Sequence, residues 1–245
     1  MQNSKIELLI SPRNLKEAKT VINAAGVKYI DCKNPSEGSL GANFPWIIKA
    51  MKDSIPNHNK QYLSATIGDF PYLPGSASLA ALGAAVAGAD IIKVGLKGPN
   101  NEEEGINLMN GVVKAIKTFN SKIKVVAAGY ADQSRMDSSP HYLEIPTIAK
   151  KSESDIAMLD TYIKDGKSLF DFLSVDELIK FKKKAKTFGL DVALAGNLMI
   201  KDLSKIKKIN PDIIGVRSIV CEGFDRNKGE IKADLIESLK SELYK

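Results

Sequence analysis

Eight short apolar runs alternate with eight longer amphipathic stretches along this 245-residue chain, and that alternation constrains the fold more than any single motif. The runs cover residues 6–11, 27–33, 62–68, 90–96, 123–129, 155–161, 191–196 and 212–218. Apolar residues at helical spacing fill the intervals near 13–24, 44–54, 76–87, 103–119, 142–151, 174–187, 200–208 and 232–244. A strand followed by a helix, repeated eight times in about 250 residues, predicts an α/β fold of the TIM (β/α)8 barrel type. No Pro/Ser linker or shift of composition divides the chain, so residues 1–245 read as a single barrel domain. A doubly wound open sheet also alternates strand with helix, but the first run leads into Pro12-Arg13-Asn14 rather than a glycine-rich dinucleotide turn.

A weak internal repeat places the polar residues. Ala25-Gly26-Val27-Lys28-Tyr29-Ile30-Asp31, Ala87-Gly88-Ala89-Asp90-Ile91-Ile92-Lys93 and Asp212-Ile213-Ile214-Gly215 each read as a helix end, a turn and a strand. Side chains alternate faces along a strand. Superposing the copies, with 155–160 as a fourth, puts Asp31, Lys93 and Met158 at one level and Lys33, Gly95, Asp160 and Arg217 at the next, all on one face. Ile30, Cys32, Ile92, Val94, Ala157, Leu159, Ile214 and Val216 occupy the opposite face, which must pack on helices. The charged face is therefore expected inside the barrel near its C-terminal mouth, where barrel active sites form.

A lysine within an apolar strand is costly to bury unless it is paired or gives up its proton. Lys33 and Lys93 qualify, and a desolvated amine of lowered pKa can attack a carbonyl and form a Schiff base. Asp31 and Asp160 supply counter-charge and candidate acid/base groups. The same four residues could instead form a structural salt-bridge layer. Lys164 and Lys167, in the loop after the sixth run, are placed to reach over the mouth, for phosphate or proton transfer. Gly196 and the Arg217-Ser218 pair end the last two runs, where barrels often bind phosphate through backbone N–H groups. His58 and His141 lie away from the strand ends, so a histidine triad or histidine-ligated metal is not expected.

Composition narrows the partners. The net charge is +6, but only four arginines occur against thirty-five basic residues in all, and the densest basic run, 180–186, reads as a solvated helix face. The positive charge is compatible with an anionic small-molecule substrate, and no nucleic-acid partner is expected. Cys32 and Cys221 form no disulfide framework or metal-binding pair. No run is long enough to cross a bilayer, and Met1-Gln2-Asn3-Ser4-Lys5 does not open a signal peptide. A reducing cytoplasm is the expected compartment, and a homo-oligomer is left open.

The stretch Asp31-Cys32-Lys33-Asn34-Pro35-Ser36-Glu37-Gly38-Ser39-Leu40-Gly41-Ala42-Asn43-Phe44-Pro45-Trp46 closely resembles the (5-formylfuran-3-yl)methyl phosphate synthase family of methanofuran biosynthesis. Further similar stretches are Ser76 to Ala84, Ile92 to Leu96, Val126 to Asp132, Ala157 to Thr161 and Gly215 to Arg217, so the resemblance runs nearly end to end. It implies a TIM barrel needing no metal or organic cofactor. The implied reaction joins two molecules of glyceraldehyde 3-phosphate, with loss of one phosphate and water, into a furan bearing an aldehyde and a phosphorylated hydroxymethyl group. By this resemblance Lys33 is the Schiff-base lysine and Lys93 a proton acceptor, with Asp31, Asp160 and Lys164 assisting proton transfers. Two rival readings stand beside it: another Schiff-base lyase acting on a phosphorylated aldehyde, and a non-catalytic barrel that binds a phosphorylated metabolite.

Overall fold

The computed structural model describes residues 6–245; the reading made at residues 1–5 lies outside the described residues. The parallel strands are β1 (Glu7–Ile10), β2 (Val27–Cys32), β3 (Tyr62–Asp69), β4 (Ile91–Gly95), β5 (Lys124–Tyr130), β6 (Ile156–Asp160), β7 (Asp191–Leu194) and β8 (Ile213–Val216). They hydrogen-bond in sequence order, and β8 returns to β1 through Glu7↔Ile213 to Ile10↔Val216, closing the barrel. The helices are α1 (Leu15–Asn23), α2 (Pro45–Asp53), α3 (Pro74–Val86), α4 (Glu102–Phe119), α5 (Ile145–Lys151), α6 (Val175–Thr187), α7 (Leu203–Ile209) and α8 (Ala233–Tyr244). None is long and apolar enough to cross a membrane among the described residues.

Local chemistry sets the helix ends. Asn14 caps α1 by accepting the Glu17 N–H, and Asn101 caps α4 ahead of Glu102, Glu103 and Glu104, whose charges oppose the helix dipole. Proline occupies the first turn of α2, α3 and α5, where its missing N–H leaves no intrahelical bond unmade. Ser174 and Glu177 close a capping box on α6. The stretches expected as single helices at 142–151 and 200–208 each begin with a short 3-10 turn, Tyr142–Glu144 and Ile200–Asp202.

Two apolar layers result. Ile30, Cys32, Ile92, Val94, Ala157, Leu159, Ile214 and Val216 pack outward in the layer shared with the helices, as the alternation predicts. Leu9, Tyr29, Ile91, Val126, Ile156, Met158, Ala193 and Ile213 fill the barrel interior. The interior turns polar toward the C-terminal ends of the strands, where Asp31, Lys93 and Asp160 are buried.

Candidate active site

The loop after β2 roofs one side of the mouth and depends on glycine. The Asn34 N–H returns to the Gly41 carbonyl, and Leu40 enters the barrel interior. A Cβ on Gly41 would lie 2.2 Å from the Asn34 carbonyl oxygen, and one on Gly38 would lie 2.2 Å from Asp69 Oδ2. Ser39 donates to the Thr161 carbonyl at 2.7 Å, tying this loop to the end of β6. Asp69 accepts from the Leu40 N–H and from the Tyr130 hydroxyl. Gly95 makes room for that pair, since a Cβ there would meet the Tyr130 oxygen at 2.2 Å.

Eight of the residues expected at the site line one pocket: Asp31, Lys33, Lys93, Asp160, Lys164, Gly196, Arg217 and Ser218. Lys93 Nζ sits 2.7 Å from Asp31 Oδ1, while Ser11 donates to Asp31 Oδ2 at 2.8 Å. Burial raises the Asp31 pKa, but Lys93, Lys33 and these hydrogen bonds outweigh it and the net shift is downward. Lys164 Nζ sits 2.8 Å from Asp160 Oδ1 and donates to the Thr161 carbonyl at 2.6 Å. For Asp160, burial acts upward and is overcome by Lys164, Lys33 and the Thr161 N–H, leaving a pKa of about 2.

Lys33 is the odd cation. Its side chain is buried and has no ion pair or hydrogen bond among the described residues. The two neighbouring pairs balance each other in charge, so the cluster of five ionisable groups is electroneutral only when Lys33 is an uncharged amine. Burial lowers its pKa to about 8; Asp160 and Asp31 pull upward, and Lys164 and Lys93 add small downward effects. Desolvation thus contributes more than either neighbouring lysine.

At the far side of the mouth, Gly196 and Asn197 have φ of +110° and +49°. A Cβ on Gly196 would meet Thr161 Cγ2 at 3.0 Å, and Asn tolerates the left-handed backbone at 197. The backbone N–H groups of Gly196, Asn197 and Ser218 make no hydrogen bond among the described residues. Arg217 lines the pocket, but its guanidinium is committed to Glu17 on α1, at 2.8 and 3.3 Å, and to the Ser11 carbonyl. Its Nε donates to the Arg226 carbonyl at 3.0 Å.

Arg226 also lines the pocket, and sequence reasoning missed it. It lies in an irregular Asp/Asn/Gly-rich connection where no periodicity fixes a side-chain direction. His58 and His141 do not line this pocket, and no group of three or more His, Cys, Asp or Glu side chains able to hold a metal occurs among the described residues.

A profile of the 4-HFC-P synthase family matches residues 8–240. The chain belongs to that family. Among its relatives, (5-formylfuran-3-yl)methyl phosphate synthase of Archaeoglobus fulgidus is 52% identical over 235 residues, spanning 96% of this chain and 97% of that protein. The synthases of the same name from Methanocaldococcus jannaschii and Methanosarcina barkeri are each 50% identical, spanning 95% and 97% of this chain and 97% and 99% of their own. Two solved structures are similar in fold alone. They are 3-hexulose-6-phosphate synthase from Salmonella typhimurium (TM-score 0.66, 14% identity, covering 98% and 99% of the two chains) and KGPDC from Streptococcus mutans (TM-score 0.63, 15% identity, covering 98% of each chain). Within this 4-HFC-P synthase family member, the lysine pair expected from the first strand repeat faces the pocket, and its two members differ in state: Lys93 is ion-paired and Lys33 is not.

Proposed function

We propose that this chain condenses two molecules of glyceraldehyde 3-phosphate into (5-formylfuran-3-yl)methyl phosphate, through a Schiff base on Lys33, as a step of methanofuran biosynthesis. The observation that carries the reading is the Lys33 amine, buried, without a carboxylate partner and with a pKa of about 8, beside two fully paired lysines. An unpaired amine of lowered pKa is a nucleophile; a lysine held in an ion pair is a proton carrier.

Lys33 adds to the aldehyde of the first triose, and loss of water gives the iminium. That cation acidifies the hydrogen on the adjacent carbon. The paired Asp31 carboxylate takes up the proton as Lys93 adjusts its own, and the electron pair expels phosphate from the third carbon. The second triose, deprotonated at its second carbon, attacks the position phosphate has left. The enol oxygen of the first triose adds to the second triose's aldehyde carbon to close the ring, two hydroxyls leave as water as the ring becomes aromatic, and a further water hydrolyses the iminium to free Lys33. Asp160 and Lys164 serve the later proton transfers. The balance over both trioses is one phosphate and two waters released. The open N–H groups at Gly196 and Ser218 are the proposed cradle for the first phosphate, with Arg217 holding that wall in place through Glu17.

The test is to incubate the purified protein with glyceraldehyde 3-phosphate and follow inorganic phosphate and furan absorbance together. Joint appearance supports the synthase. Imine trapping without phosphate release supports a lyase instead, and the absence of both supports a metabolite-binding barrel.

A further inference from the structure

The pocket over the lysines adjoins a second, outer chamber, and the two share Lys164, Asn197, Ser218 and Arg226. Their basic groups differ in kind. In the inner pocket Lys93, Lys164 and Arg217 are each held by a carboxylate. The outer chamber adds Lys167, and neither Lys167 nor the half-buried Arg226 has an ion pair among the described residues. Lys167 Nζ lies over the Phe172 ring at 5.9 Å. The one carboxylate lining this chamber, Asp225, accepts the N–H groups of Asn227 and Lys228 through Oδ1.

The segment that carries Arg226 is pinned. Cys221 pairs with Ile231 across its base, and Arg217 and Arg13 donate to the carbonyls of Arg226 and Asn227 at 3.0 and 2.5 Å. A Cβ on Gly229 would lie 2.2 Å from the Glu222 carbonyl oxygen, so this position needs glycine for the loop to close. A half-buried guanidinium on a fixed loop, attracted by Asp160 but in direct ion pair with no carboxylate among the described residues, has donors left for an anion, and its planar fork matches a phosphate in pairs.

We propose that the outer chamber is a second phosphate subsite, in which Arg226 and Lys167 hold the phosphate of the triose not attached to Lys33. This rests on the synthase reading above. It gives each of the two substrate phosphates its own place: one against backbone N–H groups near Lys33, from which it is expelled, and one on side-chain cations at the rim, where it remains in the product.

The test compares imine formation with turnover in Arg226→Gln, Arg226→Lys and Lys167→Gln. Borohydride reduction with glyceraldehyde 3-phosphate reads occupancy of Lys33, and furan absorbance reads the complete reaction. Arg226→Gln is expected to leave the triose concentration for half-maximal trapping within about twofold of the parent while raising that for furan formation tenfold or more, with partial recovery in Arg226→Lys and a smaller rise in Lys167→Gln. Equal change of both readouts, or of neither, in a folded Arg226→Gln protein would overturn the subsite. Should Arg226→Gln fail to fold, an unchanged furan response in Lys167→Gln and Arg226→Lys overturns it as well. Failure of the synthase reading itself looks different: the parent protein then makes no furan.

Discussion

At the scale of the residue, Lys33 sets both the chemistry of the proposed reaction and its cost. With a pKa of about 8, roughly a tenth of the amine is uncharged at pH 7 and roughly nine tenths at pH 9. The initial rate of borohydride trapping should therefore climb through pH 8 and level off above it, as a pH series would record. The sign for stability follows from the same shift. Between about 8 and the ordinary value of 10.5 the unfolded chain holds a proton on Lys33 that the folded chain has released, so stability rises with pH across that window. Below it the folded protein carries the full penalty of a buried extra cation. Lys33→Met, which leaves the two ion pairs balanced, is expected to melt above the parent at pH 7 while losing all furan formation; a lower melting temperature would contradict the electroneutrality argument. Lys33 and Lys93 were legible in the sequence because lysine is rare inside apolar strands, and the period of two put them on one face with Asp31 and Asp160. Their division of labour was not, because it depends on which carboxylate each amine reaches across the barrel, a long-range property that spacing does not encode.

At the scale of the element, the seam between β8 and β1 is held from outside the strands. Glu17 of α1 and Arg217 after β8 form an ion pair in which both side chains are almost fully buried. Glu17→Ala would strand a buried guanidinium, and a loss of about 3–5 kcal/mol is expected in denaturant unfolding. The sequence placed Arg217 near the mouth but showed nothing of Glu17, which reads as an ordinary first-turn acid on an amphipathic helix. Gly95 is a second such case. Glycine ends many strands, yet here the missing side chain admits the Tyr130–Asp69 pair beneath the β2 loop. Gly95→Ala is expected to cost about 1–3 kcal/mol through overpacking and to lower activity by shifting that loop. Thermal unfolding beside turnover checks both effects.

At the scale of the whole molecule, the count and order of strands were legible because each βα unit repeats the same two periodicities. The helix starts moved by three residues where 3-10 turns precede α5 and α7. The outer chamber was not legible, because it is built by the 221–231 connection, whose conformation is set by contacts with Arg13 and Arg217 from distant parts of the chain. The barrel thus supplies the inner lysine cluster, and the loops supply the outer chamber. The central claim is that Lys33 alone forms the covalent intermediate. Reduction with borohydride in the presence of glyceraldehyde 3-phosphate, followed by peptide mass mapping, should place one triose adduct on Lys33 and none on Lys93 or Lys164, and Lys33→Arg should abolish it. An adduct on Lys93, or undiminished furan formation by Lys33→Arg, would contradict the account.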